Sequence, residues 1–300
     1  KTMISYLNKP IDIQTVFWQI SIMKYGVPSS GVIKKQMKIS FKNKEDVEQY
    51  TKRLESENYV EEYIINQMDN EKFKDVRKIS IGLCKKDILN NRCKKKSAFY
   101  NCFVLIIRIL YQGTFKEVHV KVFNTGKLEI PGIQSDDFLH QVLEQLVYIL
   151  NTNCNLGVSY LSEKNETVLI NSNFNCGFYL NRERFHDLLK IKYKLHSSFD
   201  PCSYPGIMSK FYYDMSKSND KQTGEKPSDS DNYTSVSFMI FRTGSVLIVG
   251  RCSEEILRNI YEFIKNIIVS EFDEIYRGDY IKKEVVDNKK VRKKTIILSK

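Results

Sequence analysis

Two stretches of the chain repeat the same order of apolar and polar positions. Residues 118–150 and 236–268 align without a gap at an offset of 118 residues. Identical residues at matched positions include Phe123 and Phe241, Gly126 and Gly244, Gly132 and Gly250, and Ser135 and Ser253. Each stretch begins with a run in which apolar and polar residues alternate, followed by a turn that contains Thr-Gly. A second apolar run, a serine and then apolar residues at helical spacing follow in that order. The repeat therefore predicts strand, tight turn, strand and helix, twice over.

Further elements are predicted upstream of each copy. In the first copy they are a strand at 3–7, a helix that follows the N-cap residue Asp12, and a strand at 99–110. In the second copy they are a strand at 168–180, a helix at 182–190 capped by Asn181, and a strand at 205–213. The fold class is therefore α+β, with repeats at 1–150 and 151–272 in which helices cover one face of a curved antiparallel sheet.

Three segments fall outside the repeat. Residues 44–70 are charged and helix-prone, which predicts an inserted helical segment over about 44–85. Residues 217–232 contain no apolar side chain that could anchor them, so we expect a disordered loop. Residues 273–300 form a basic tail, either solvated or in contact with phosphates.

Charge narrows the class of partner. The 300 residues are 42% hydrophobic, enough for a packed core, and carry a formal net charge of +11, which favours nucleic acid or an anionic membrane surface. The lysines expected to meet phosphates are Lys34, Lys35, Lys38, Lys94, Lys95 and Lys96. No run of 18 apolar residues occurs, so no membrane-spanning helix is predicted.

Neither the cysteines nor the histidines suggest a metal site. The seven cysteines form no CxxC pair and the four histidines have no ligand spacing, so we expect reduced thiols in an intracellular compartment, with no metal and no cofactor. The sequence shows no paired carboxylates, nucleophile elbow or phosphate-binding loop, so we expect no enzyme and no small-molecule substrate.

The sheet face that the helices leave uncovered is the surface on which a binding partner is expected. Strand alternation assigns to it His119, Lys121, Phe123, Glu129 and Pro131 in the first copy, and Ser237, Met239, Phe241, Leu247 and Val249 in the second. Asn171, Asn173 and Asn175 share one face of the strand at 168–180. Their amides can donate to and accept from base edges in a minor groove, or they can end the strand and form turns.

These motifs resemble the TATA-box-binding protein (TBP) family, and more closely the divergent TBP-like proteins of nucleocytoplasmic large DNA viruses. KVFNTGKLEIPG at 121–132 and MIFRTGSVLIVG at 239–250 resemble the two hairpins of that family. SSFDPCSYPGI at 197–207 resembles its second-repeat strand entry, and PIDIQTV at 10–16 resembles the start of its first helix. The resemblance covers most of residues 1–272 and implies a saddle of two pseudo-symmetric repeats, with residue i superposing on residue i+118.

The resemblance also implies roles for individual residues. It makes Phe99, Phe123, Tyr204 and Phe241 the DNA-intercalating side chains, with Tyr100 or Phe103 as alternatives to Phe99. It makes Lys121, Asn171, Asn173, Met239, Leu247 and Val249 groove-lining, and Lys127 a phosphate contact. Asp200 would contact a transcription-factor-IIB-like protein. Several residues depart from the family pattern. Lys121 and Glu129 replace aliphatic residues, Tyr204 replaces phenylalanine, and Cys202 and Ser203 differ beside Asp200. An ungapped alignment puts Leu169 at the second-repeat base-reading position, so Asn171 or Asn173 serves there only with a shifted strand.

The resemblance implies a transcription initiation factor that binds and bends double-stranded promoter DNA and recruits RNA polymerase. It would act in the nucleus or in a viral factory in the host cytoplasm, with packaging in the virion as a further option. The alternatives are a protein-interaction module that has lost DNA binding, which Glu129 favours, and an accessory repeat of a DNA glycosylase, for which the chain leaves no room for a catalytic module.

Overall fold

The computed structural model describes residues 1–69, 73–89, 100–228 and 232–279, which divide into two compact units. The first unit comprises residues Thr2–Glu166, and the second begins at Thr167. The first unit therefore extends past residue 150, because its long C-terminal helix runs to Cys154. Both units combine an antiparallel sheet with helices, in agreement with the predicted α+β class.

The first unit is built on a seven-stranded sheet. Its elements are β1 (Thr2–Tyr6), α1 (Ile13–Gln19), β2 (Gly31–Phe41), α2 (Lys44–Leu54), β3 (Val60–Asp69), β4 (Phe73–Gly82), α3 (Lys85–Leu89), β5 (Cys102–Tyr111), β6 (Thr114–Phe123), β7 (Lys127–Pro131) and α4 (Asp136–Cys154). The strands lie in the order β1-β7-β6-β5-β2-β4-β3, and every neighbouring pair is antiparallel.

The second unit is built on a five-stranded sheet. Its elements are β8 (Glu166–Asn175), β9 (Phe178–Leu180), α5 (Arg182–Asp187), β10 (His196–Ser198), β11 (Gly206–Asp214), β12 (Tyr233–Phe241), β13 (Ser245–Gly250), α6 (Glu254–Ser270), α7 (Phe272–Ile275) and β14 (Tyr276–Asp279). The strand order is β8-β13-β12-β11-β10, and β9 pairs separately with β14.

The repeated sequence forms corresponding elements in the two units. Both hairpin turns use glycines in the left-handed region, which carries no Cβ penalty for glycine: Gly126 at φ +83° and Gly244 at φ +72°. The Ser135 hydroxyl accepts the backbone N–H of Phe138 at 3.3 Å, and the Ser253 hydroxyl accepts that of Ile256 at 3.2 Å. Each serine thus caps its long helix, as the sequence predicts. The superposition of the two repeats remains a prediction.

Each sheet buries one face against its helices. In the first unit α1 and α4 cover it, and Phe17, Val120 and Leu143 are fully buried there. In the second unit α5 and α6 do the same, and Phe238 and Ile260 are fully buried. Alternation along the strands therefore assigns the buried face correctly in both units.

The insertion after residue 44 differs from the predicted helical segment. Of the described residues between 44 and 84, only those of α2 are helical, and Val60–Asp69 and Phe73–Gly82 pair as β3 and β4 at the edge of the first sheet. The physical reason is that β4 pairs with β2 along eight residues and buries Ile79 and Ile81, so the sheet supplies ladder hydrogen bonds and a core that outweigh local helix propensity.

The loop predicted to be disordered and the start of the predicted basic tail are partly packed. In the loop at 217–232, Gln222 is buried. Its side-chain oxygen accepts the backbone N–H of Asp214 at 2.9 Å, and its amide nitrogen donates to the backbone carbonyl of Asp214 at 2.7 Å. Residues 229–231 lie outside the described residues. At the start of the predicted tail, β14 pairs with β9, and residues 280–300 lie outside the description. Just before it, the buried Glu271 carboxylate accepts hydrogen bonds from Lys192 at 2.7 Å and Tyr193 at 2.6 Å.

Candidate nucleic-acid interface

We call the sheet face opposite the long helix, α4 or α6, the open face of each unit. In the second unit it carries Leu169, Asn171 and Asn173 on β8, Ser245, Leu247 and Val249 on β13, Ser237, Met239 and Phe241 on β12, Gly206, Met208 and Lys210 on β11, and His196 and Ser198 on β10. None of these described positions is a carboxylate, and Lys210 adds a positive charge. These positions are thus apolar or carry amide, hydroxyl or basic groups; alternation also places Asp214, at the end of β11, on this face, where it is buried.

Strand register groups the candidate groove-lining residues. The directly opposed pairs are Asn171 with Val249, Asn173 with Leu247, Leu247 with Met239, and Met239 with Met208. Directly opposed residues in antiparallel strands project from the same face, so amides border an aliphatic strip. Leu169 and Met208 are 38% and 41% exposed, large values for apolar side chains on a packed sheet.

The three asparagines divide between the two roles considered from the sequence. Asn171 and Asn173 lie within β8 with exposed side chains. Asn175 ends the strand: its side-chain oxygen accepts the N–H of Gly177 at 2.7 Å, and its amide nitrogen donates to the carbonyl of Thr243 at 3.2 Å. Asn175 is therefore a turn residue, while the other two point their amides out of the sheet.

Two aromatic rings lie together at the end of the aliphatic strip. The ring centroids of Tyr204 and Phe241 are 5.9 Å apart with an interplanar angle of 60°, and both residues are partly exposed. Gly206 pairs with Phe241 across the strands, and a Cβ on Gly206 would lie 3.0 Å from Phe241 Cε1 and 3.1 Å from Tyr204 Cε1. The missing side chain of Gly206 is what lets both rings settle over the backbone.

A hydrogen-bonded loop holds Tyr204 in this position. The Asp200 carboxylate accepts the backbone N–H of Cys202 at 3.0 Å and the hydroxyl of Ser203, and its carbonyl accepts the N–H of Tyr204 at 2.9 Å. These bonds lower the pKa of the Asp200 carboxyl, with the Ser203 hydroxyl as the main cause. Asp200 is exposed, so the same carboxylate that builds the loop also faces solvent.

The open face of the first unit is more polar. Lys121 and Glu129 are directly opposed, and the ammonium lies 2.6 Å from the carboxylate. Glu129 is therefore paired within its own face, which offsets the repulsion toward phosphates expected of an isolated carboxylate. The ion pair occupies positions where the second unit has Met239 and Leu247.

The aromatic positions of the first unit are only partly described. Phe123 is partly exposed, and the Lys127 ammonium lies 5.8 Å from its ring centroid. Phe99, Lys94, Lys95 and Lys96 lie outside the described residues. Phe103 is not an alternative to Phe99, because it is fully buried against Phe17 on the helix-covered face. Tyr100 is 54% exposed and remains an alternative to Phe99.

Two of the lysines expected to meet phosphates are instead buried. Lys34 is 2% exposed and its ammonium lies 2.9 Å from the Asp87 carboxylate. Lys35 is 1% exposed, and its ammonium donates to the carbonyl of Ile20 at 2.9 Å and lies 3.7 Å from Glu57. Burial lowers the pKa of Lys35. The expectation for both residues is therefore wrong, because a long lysine stem packs well in a core when its charge finds partners.

Sequence reasoning omitted Met208 and Lys210 from the candidate site. Both lie on the open face of β11, directly opposite Met239 and Ser237. The signal was present, since Ile207, Ser209 and Phe211 alternate with them and are buried.

The described residues contain no cluster that could hold a metal ion and no helix long and apolar enough to cross a membrane. Neither a family model nor a curated protein matches the chain. Among solved structures the chain is similar to Methanococcus jannaschii TBP, with 13% sequence identity and a TM-score of 0.39, over 91% of this chain and 95% of that chain.

Proposed function

We propose that this protein is a non-enzymatic transcription initiation factor that binds the minor groove of promoter DNA and bends it. The observation that carries the proposal is the open face of the second unit, where an aliphatic strip bordered by Asn171 and Asn173 ends on the ring pair of Tyr204 and Phe241. The hairpin motifs described from the sequence support the same assignment.

The chemistry of this face suits a minor groove. A minor groove presents mostly acceptors and one guanine donor, and an amide can satisfy either. Aliphatic side chains tolerate every base edge, which favours readout by groove shape. Aromatic rings at the end of the strip can enter a base step and unstack it at a cost of a few kcal/mol, which the contacts of the bent duplex offset.

The partners follow from the same proposal. The exposed Asp200 loop would contact a transcription-factor-IIB-like protein, and that complex would recruit RNA polymerase. A relation to viral TBP-like proteins, with action in the nucleus or a viral factory, belongs to this proposal as well. The alternative function is a protein-interaction module without DNA binding, and the Lys121–Glu129 ion pair favours it because it replaces groove-lining aliphatic residues.

Equilibrium binding to duplex DNA separates the two functions. A factor that neutralises six to ten phosphates loses about 10³- to 10⁵-fold in affinity between 50 and 200 mM salt, and we expect such a fall for this chain. Fluorescence anisotropy with labelled duplexes, taken from a selection on a random pool, measures it. Absence of duplex binding at low salt would favour the interaction module.

Bending is tested with duplexes labelled at both ends. We expect energy transfer to change when the wild-type protein saturates the duplex, and the change to be lost in the double variant Tyr204→Ala/Phe241→Ala. Tyr148→Ala is the matched control, because Tyr148 is 64% exposed on α4, the helix layer of the first unit. A double variant that folds and still bends DNA would place the wedge elsewhere.

A further inference from the structure

A row of basic and aromatic side chains extends from β2 onto the inserted hairpin on the open face of the first unit. Lys38 on β2 lies directly opposite Lys78 on β4, and Lys78 lies directly opposite Tyr63 on β3. The exposed ring of Tyr100 completes the row, with its centroid 3.7 Å from the Lys38 ammonium. The order across the sheet is therefore Tyr63, Lys78, Lys38 and Tyr100.

Strand register fixes the face on which this row lies. Gln36, two residues before Lys38, pairs with Val104 on β5, and Val104 pairs with Lys121 on β6. The row is thus on the same face as Lys121 and Phe123. Helix α2 packs on the opposite side, where the ring of Tyr50 lies 4.9 Å from Phe41.

Several charged groups meet at this part of the sheet. Like charges directly opposite on one face of a sheet are destabilising. Nearby, the Lys34 ammonium is held by Asp87 at 2.9 Å and lies 3.8 Å from Glu61. Burial, followed by the charge of Lys34, lowers the pKa of Lys78, and Glu61 opposes that effect. An anion placed over Lys38 and Lys78 would interact favourably with both ammonium groups.

We propose that Lys38, Lys78 and the flanking tyrosines form a second contact for the phosphate backbone of duplex DNA, separate from the wedge of the second unit. Lysine ammonium and tyrosine hydroxyl groups are both common phosphate ligands. The contact adds affinity and salt dependence, while bending depends on Tyr204 and Phe241. The inference rests on the proposed function, because it assumes that duplex DNA is the ligand.

The test is the salt dependence of duplex binding by the full chain carrying Lys38→Gln and Lys78→Gln. Losing two phosphate contacts reduces the magnitude of the slope of log K against log salt by about 1.8, which is about a 60-fold loss of affinity at 0.1 M salt relative to 1 M. Energy transfer on a saturated duplex stays at the wild-type value. Lys38→Arg/Lys78→Arg restores the slope, because both charges are kept.

The matched control is Lys44→Gln/Lys52→Gln, which makes the same charge change on the exposed side of α2 and keeps the wild-type slope. A wild-type slope in the Lys38/Lys78 variant would overturn the inference while leaving the proposed function standing. If the Lys38/Lys78 variant has a reduced slope but the wild-type protein gives no change in energy transfer, the contact is upheld and the wedge is refuted. Preferential loss of binding to single-stranded oligothymidine would overturn the assignment to duplex DNA, and absence of wild-type duplex binding would overturn both proposals.

Discussion

Two phenylalanines three residues apart on β12 allow a direct test of which sheet face is functional. Phe238 is fully buried against α6, whereas Phe241 is partly exposed on the open face beside Tyr204. Both are truncated to alanine in the full chain. Because the chemical change is identical, differences between the variants report the environment of each ring.

The expected magnitudes follow from burial. Phe238→Ala leaves a cavity in the core and costs about 3 to 5 kcal/mol. For a protein of this size that lowers the melting temperature by about 6 to 20 °C. Phe241 gains roughly half the transfer free energy of a fully buried ring, so Phe241→Ala costs about 1 kcal/mol. Urea denaturation followed by circular dichroism measures both losses.

DNA bending should show the opposite order. Phe238→Ala, measured at a temperature where it is folded, keeps the energy-transfer change on end-labelled duplex, because its ring cannot reach DNA. Phe241→Ala loses most of that change at saturation. If Phe241→Ala unfolds the protein and Phe238→Ala is harmless, the face assignment is inverted. If both variants bend DNA normally, the wedge is not at Phe241.

Three further outcomes are expected. Gly206→Ala keeps the fold, since its φ needs no glycine, but displaces the two rings by a few tenths of an ångström and weakens bending more than binding in the energy-transfer assay. Ser253→Ala removes the cap of α6 and lowers the unfolding free energy by about 1 kcal/mol in urea titrations, with no effect on DNA affinity. Hydrogen bonds to its carboxylate lower the pKa of Glu271, so the stability it adds is present above about pH 4.3, the ordinary value for glutamate, and is lost as pH falls further. Glu271→Gln is therefore less stable at neutral pH and loses less stability on acidification, and an unchanged pH profile in that variant would refute the assignment.

The sequence by itself determined the elements whose signals are local. Alternation along β6, β7, β12 and β13 identifies the buried faces, because side chains of a strand point alternately to its two sides. Ser135 and Ser253 predict where the two long helices begin, since a hydroxyl at the N-cap position accepts a backbone N–H that has no partner within the helix. The glycine turns follow from the same kind of rule.

Only the tertiary structure decided what depends on partners distant in sequence. Residues 60–69 form a strand because β4 supplies an edge to pair with, and no local pattern encodes that edge. The sequence suggests that Lys34 and Lys35 are surface cations. Both are buried instead, because the Lys34 ammonium donates to Asp87 and the Lys35 ammonium donates to the Ile20 carbonyl, and both partners are distant in the chain. The opposition of Lys38 and Lys78 and the pairing of Lys121 with Glu129 likewise arise from register between strands. Alternation specifies the face on which a side chain lies, but pairing between strands specifies its neighbours, and charge chemistry depends on those neighbours.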